Sequence, residues 1–397
     1  MKGLRLSLAA SLLLSAAVLT TSCGGGSATS QASLPAPTPA PVPVPFDGSL
    51  GSVQSVSQPE ACSSKFETGM TCFHATVSNC PNALDLGLTF GYRAPATSLG
   101  TIVFFTGSGG EDPGTSQFNS YADDYFNRGY TVIETAWDSP WEDTTNGTTG
   151  SNVPGHSVIN AGCRPASFLN YVFTQNPNLY STGGRCAQGF SGGTGALGYS
   201  LAAYDMGVLL DKVVLQSGPV FSDIQQGCEV PPAPNITVCG SGDTWCQLGS
   251  QAPWTLSPSY SGDTAGAVQD FTGDASCSGA AATSSASDTN WKAQSIVNGN
   301  SKISFDFPNT PITAWLCATQ AAGTGGPNNS TSQGEIFYQQ VGPTGSPLKV
   351  YAVQNCNGSE GVDPGTVPAL SNESTHTAVV DDMTMGTLNG NACVKTH

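Results

Sequence analysis

Charge is scarce in this chain. Asp, Glu, Lys and Arg make up 10% of its 397 residues, and 12 basic groups face 28 acidic ones, a formal net charge of −16. So few cations exclude nucleic acid and anionic lipid headgroups as partners, because both are held by basic patches. Histidine is scarcer still, with four in the chain, and no H-E-x-x-H pattern occurs. The 13 cysteines include no C-x-x-C pair. A metal site needs ligands clustered at such spacings, so neither a metal nor any other cofactor is expected. Long apolar runs are missing as well. The longest, Leu6 to Leu19, is too short to span a bilayer.

That run follows the basic stretch Met1-Lys2-Gly3-Leu4-Arg5 and precedes Thr20-Thr21-Ser22-Cys23. Small residues before a cysteine resemble a bacterial lipobox. Residues 1–23 therefore read as a lipoprotein-type signal peptide, with Cys23 as the lipid attachment residue. The departure is Leu19, which is not three residues before the cysteine; an ordinary secretory signal is the alternative. Residues 24–46 run from GGGSATSQAS into PAPTPAPVPVP, a flexible coil and then a stiffer polyproline segment. The expectation is an exported protein of the bacterial cell envelope or cell surface, touching the membrane only through its lipid anchor. Oligomeric state leaves no mark on the sequence.

Glycine and cysteine are plentiful. With Cys23 set aside, twelve cysteines remain between 62 and 393. In an exported chain an even number suggests disulfides, whose pairing spacing cannot settle. Residues 47–397 are enough for one large domain with an insertion.

Along that domain, strand and helix patterns alternate. Thr71–Val77 and Leu86–Tyr92 read as early strands. Gly100–Phe105 is continuously apolar, as a strand buried on both faces should be. Phe118–Arg128 looks helical, Tyr130–Trp137 is a strand, and Ser157–Gln175 a helix. Asp211–Gln216, Thr310–Thr319 and Leu348–Gln354 are further strands, with helices at Gly334–Val341 and His376–Met385. This alternation indicates a mostly parallel sheet. Residues 221–300 break the rhythm and read as a disulfide-stapled insertion above it. Trp245, Trp254, Tyr260 and Trp291 there suit either ligand stacking or a small local core.

The stretch that carries chemistry is Gly189-Phe190-Ser191-Gly192-Gly193, a G-x-S-x-G pattern. Between a strand and the small-residue helix TGALGYSLAAY it forms a nucleophile elbow, with serine on a sharp turn and glycines where a Cβ would clash. A second glycine-rich loop, Thr106-Gly107-Ser108-Gly109-Gly110, follows the Phe104-Phe105 strand. His376 comes after the last strand.

In these three parts the chain resembles the α/β-hydrolases, over roughly residues 65–220 and 300–390. The resemblance implies an α/β-hydrolase-like, mostly parallel sheet with helices on both faces. It also implies a serine esterase or lipase-like activity through an acyl-enzyme, with Ser191 as nucleophile and His376 as base. The oxyanion would be held by Gly192 and by Gly107 or Ser108. The family's usual histidine in that loop is missing, which leaves the donor open between the two. The acid is open too, because the loop after Thr319 has no carboxylate. Glu360 is preferred, Asp223 and Asp363 are alternatives, and a serine-histidine dyad or Asn328 in the acid's place remains. Substrates would be esters: acylated polysaccharides, phenolic esters, lipids or polyesters. A binding protein on a hydrolase scaffold, or an acyltransferase with the same residues, are the competing readings.

Overall fold

The computed structural model describes residues 46–113, 116–144, 156–180, 183–229, 232–260, 262–272, 277, 285–319, 329–356, 362 and 365–395. In chain order the elements begin with β1 (Ser52–Gln54), β2 (Glu60–Ala61), β3 (Thr71–Ser78), β4 (Leu86–Arg93) and β5 (Gly100–Phe105). Then come α1 (Ser116–Asn127), β6 (Thr131–Trp137), α2 (Val158–Ala161), α3 (Cys163–Asn170), β7 (Gly184–Phe190), α4 (Gly192–Tyr204) and β8 (Lys212–Gln216). The expected insertion holds α5 (Ile224–Cys228), β9 (Ile236–Val238), β10 (Cys246–Gln247), β11 (Trp254–Leu256), α6 (Gly262–Thr272) and α7 (Ser285–Gln294). The chain closes with β12 (Ile312–Cys317), α8 (Asn329–Val341), β13 (Leu348–Val353) and α9 (Thr375–Met385).

One sheet organises these elements, in the order β1-β3-β4-β6-β5-β7-β8-β12-β13-β10, with β2 on β3. From β6 to β10 every pairing is parallel, and the β1–β4 edge is antiparallel. Central strands show why they are apolar throughout. Val103 and Phe105 of β5 enter one core, and Ile102 and Phe104 enter the other. Strand β12 divides the same way, with Ile312, Ala314 and Leu316 on one side and Trp315 and Cys317 on the other. A strand alternates its side chains between faces, so a sheet covered on both must be apolar at every position. The fold is the expected α/β-hydrolase-like one.

The region 221–300 differs from a cap resting above the sheet. Phe221, Val268, Phe271 and Trp291 join the same core as β5 and α4. Strand β10 also extends the sheet by pairing with β13. The four aromatics pack rather than line a stacking platform: Trp291 is fully buried, and the Tyr260 hydroxyl donates to the Val220 carbonyl at 3.1 Å. Trp254 lies in β11, paired with β9, and Trp245 lies against Gly342.

Six disulfides join all twelve cysteines beyond Cys23: 62–72, 80–163, 186–393, 228–277, 239–246 and 317–356. Two of them lie within the insertion. The 186–393 bridge ties the C-terminal segment to β7, the strand that leads into the elbow.

Candidate active site

Strand β7 ends in the turn the motif foretells. Ser191 sits at φ 48°, ψ −119°, a left-handed conformation that a serine adopts at a cost and that tertiary packing must impose. Its N–H donates to the Gln216 carbonyl at 2.9 Å, which fastens the turn to the end of β8. A Cβ on Gly193 would meet the Phe105 carbonyl, and one on Gly189 would come within 2.7 Å of the Gly193 carbonyl. Only glycine lets the helix start this close to β5.

Gln188 is a buried polar residue of β7. It belongs to a buried chain of hydrogen bonds beneath the elbow. Tyr125 donates to Gln188 at 2.6 Å, Gln188 donates to Gln216 at 2.8 Å, and Gln216 donates to the Tyr121 hydroxyl at 3.0 Å. This network locks α1 against β7 and β8.

The second glycine-rich loop folds over the serine. A Cβ on Gly107 would lie 3.3 Å from the Ser191 Cβ, and one on Gly192 would meet the Ser108 carbonyl. Ser108 is also left-handed, at φ 51°. The N–H groups of Ser108 and Gly192 have no hydrogen-bond partner among the described residues. Both residues, with Ser191, wall one cavity of about 240 Å³, which Pro140, Val220 and Phe221 also line. Unpaired donors beside a strained serine are the arrangement that stabilises an alkoxide.

His376 opens α9. Its ring stacks on Tyr121 with centroids 4.2 Å apart, and its Nε2 lies 2.7 Å from Asp124 Oδ2. Contact therefore runs continuously from Ser191 through Gln216 and Tyr121 to His376. His376 is not among the residues that wall the Ser191 cavity. Asp124 thus brings a carboxylate to this histidine from α1, ahead of the nucleophile in sequence. A carboxylate on an amphipathic helix carries no local mark of a partner 252 residues away.

The other candidates are placed as follows. Glu360, Asp363 and Asn328 lie outside the described residues, as does Cys23. Asp223 caps α5, accepting from the Gln226 N–H at 3.0 Å, and burial raises its pKa. His74 bridges Glu60 and Thr89 at 2.8 Å each, on β3, which β4, β6 and β5 separate from β7 in the sheet. His156 is half-buried, and burial and the nearby Arg164 lower its pKa.

Glu142 is the residue sequence reasoning missed. It walls the Ser191 cavity and is only 4% exposed. Burial pushes its pKa up to about 8, with Glu111 and Asp143 adding to the shift and Arg164 and its own backbone N–H opposing it.

No protein-family model matches the sequence, and no curated relative does. Among solved structures, an acetyl xylan esterase from Thermoanaerobacterium matches with a TM-score of 0.43 and 11% identity, over 81% of this chain and 90% of that one. An esterase from Pyrobaculum calidifontis gives 0.41 and 12%, over 72% and 76%. A bacterial brefeldin A esterase gives 0.40 and 13%, over 82% and 78%. Likeness at this level assigns no activity.

Proposed function

We propose that this chain is a serine carboxylic-ester hydrolase. The observation that carries the reading is the strained Ser191 beside two unpaired N–H donors at one cavity. Ser191 Oγ attacks the ester carbonyl, and the new oxyanion is held by the N–H groups of Gly192 and Ser108. His376 takes the serine proton and returns it to the leaving alcohol. Water then releases the acid from the acyl-enzyme. In this reading Asp124 orients His376 and stabilises its imidazolium.

A fluorophosphonate probe followed by peptide mapping tests this. Modification at Ser191 is expected, and Ser191→Ala should retain less than about a hundredth of the aryl-ester turnover. Absence of both labelling and turnover would favour a non-catalytic binding protein, a reading supported by the position of His376 outside the cavity wall. An added alcohol that captures most of the acyl group would make it an acyltransferase.

We further propose export and tethering through Cys23. The six disulfides support an oxidising compartment. Palmitate labelling of the expressed protein, lost in Cys23→Ala, is the expected result; a soluble, unlabelled product would end the tether reading.

A further inference from the structure

We propose that Glu142 determines substrate specificity at the Ser191 cavity: its carboxyl hydrogen-bonds an uncharged hydroxyl on the ester, and together with Glu111 it rejects esters whose cavity-bound group is anionic. The proposal rests on the reading of this cavity as the ester site.

Three observations carry it. First, Glu142 and Glu111 are the only ionisable residues that wall the cavity among the described residues. Everything else there is small, apolar or hydroxylic apart from the backbone donors of the oxyanion site, so any side-chain charge a ligand meets comes from these two carboxyls. Second, the Glu142 carboxyl is buried and one of its oxygens, Oε2, has no hydrogen-bond partner among the described residues. A buried polar atom without a partner loses its hydration for nothing, unless a ligand supplies the bond.

Third, Glu142 is held in fixed relation to the serine. Its neighbour Trp141 donates from Nε1 to the Gly192 carbonyl at 3.3 Å and from its backbone N–H to the Gly109 carbonyl at 2.9 Å. The segment is thus pinned to both halves of the oxyanion site. From behind, Arg164 Nη1 donates to the Trp141 carbonyl at 2.7 Å and to the Asp143 carbonyl at 2.8 Å. The remaining guanidinium donors go to the Leu84 carbonyl. Arg164 therefore grips the backbone on either side of Glu142, and no cation lies within ion-pair distance of the carboxyl among the described residues.

The groups facing Glu142 are Glu111, Asp143, Arg164 and the Tyr199 hydroxyl. That hydroxyl is already committed to the Phe221 and Gln294 carbonyls. Burial keeps the carboxyl neutral up to about pH 8. A neutral acid both donates to and accepts from a hydroxyl. An anionic group would meet one carboxylate at Glu111 and a desolvated carboxyl at Glu142. The cavity, about 240 Å³, is below the roughly 300–1,000 Å³ of drug-sized ligand pockets. Short hydroxylated esters fit better than long acyl chains.

The test measures binding apart from turnover. Calorimetry on the full-length Ser191→Ala protein would compare methyl 3-hydroxybutanoate, methyl butanoate and monomethyl succinate at pH 6 and pH 9. The hydroxy ester should bind roughly tenfold more tightly than the plain ester, the worth of one good hydrogen bond. Adding Glu142→Leu should collapse that ratio to near one, while Glu142→Gln, which also donates and accepts, should keep most of it. Monomethyl succinate should bind more weakly than either, and weaker still at pH 9, when Glu142 ionises. Circular dichroism would establish that each variant is folded. A hydroxyl preference that survives Glu142→Leu, or no binding of any of the three, would overturn the proposal. Hydrolysis of methyl 3-hydroxybutanoate by the unaltered protein is assayed in parallel. Selective binding without hydrolysis would sink the catalytic reading and leave the specificity of the cavity standing.

Discussion

Glu134 lies in the middle of β6, with its carboxyl wholly buried. Oε2 accepts from the Glu67 N–H at 3.1 Å, and Oε1 has no hydrogen-bond partner among the described residues. Burial pushes its pKa from 4.5 to about 8; Glu67 and Asp123 add to the shift, and the Glu67 N–H opposes it. In the unfolded chain this glutamate ionises above pH 4.5, whereas the folded protein keeps its proton until about pH 8. Between those values the folded state binds one more proton. Stability therefore falls as pH rises, by about 1.4 kcal/mol per pH unit for one such group. From pH 5 to pH 7 the loss is roughly 2.7 kcal/mol, a large share of the about 5–15 kcal/mol that holds a domain folded. Glu142 and Glu335, both also raised to about 8 by burial, act in the same direction. His156, lowered by burial, acts in the opposite direction below pH 6.5. A matched variant isolates the one residue. Glu134→Gln has the shape of the neutral acid and cannot ionise. Urea unfolding with disulfides intact, at pH 5, 6, 7 and 8, should show the variant gaining on the unaltered protein by about 2.7 kcal/mol between pH 5 and pH 7. Parallel stability curves for the two proteins would refute the reasoning.

Two further outcomes are expected. Asp124→Asn should lower aryl-ester turnover by roughly 10²–10⁴-fold with KM little changed, because it removes the carboxylate on His376; if Glu360→Gln is the damaging change and Asp124→Asn is not, the orienting acid is Glu360. Lys212 and Asp382 form a fully buried ion pair at 2.9 Å, with Lys212 also donating to the Asn391 carbonyl at 2.8 Å. Lys212→Met should cost about 3–5 kcal/mol in urea unfolding by stranding Asp382, and the double change Lys212→Met with Asp382→Leu should recover most of it; a single variant as stable as the original would contradict this.

Much of the architecture was legible in the chain itself. Continuous apolar runs such as Gly100–Phe105 marked strands covered on both faces, and Gly189 to Gly193 marked a turn that only glycines permit. These signals are local: side-chain period and backbone tolerance are properties of neighbouring residues, so sequence carries them directly. Gln188 carries no local mark of its partners and is one link of a buried network with Tyr125, Gln216 and Tyr121. Strand β10 is two residues long, too short to show a period, and exists because β13 offers it an open edge.

The site residues divide along the same line. Ser191 and its loop were visible because the elbow is made by contiguous residues. Asp124 beside His376, and Glu142 in the cavity, were not, because each acquires its surroundings from elements far away in the chain. Glu142 sits in the segment after β6, which no sequence motif marks. It becomes a buried, unpaired carboxyl only when Trp141 docks on Gly192 and Gly109 and Arg164 turns its donors to backbone carbonyls. Charge environment and desolvation arise from packing between distant segments, so the tertiary structure alone decides them.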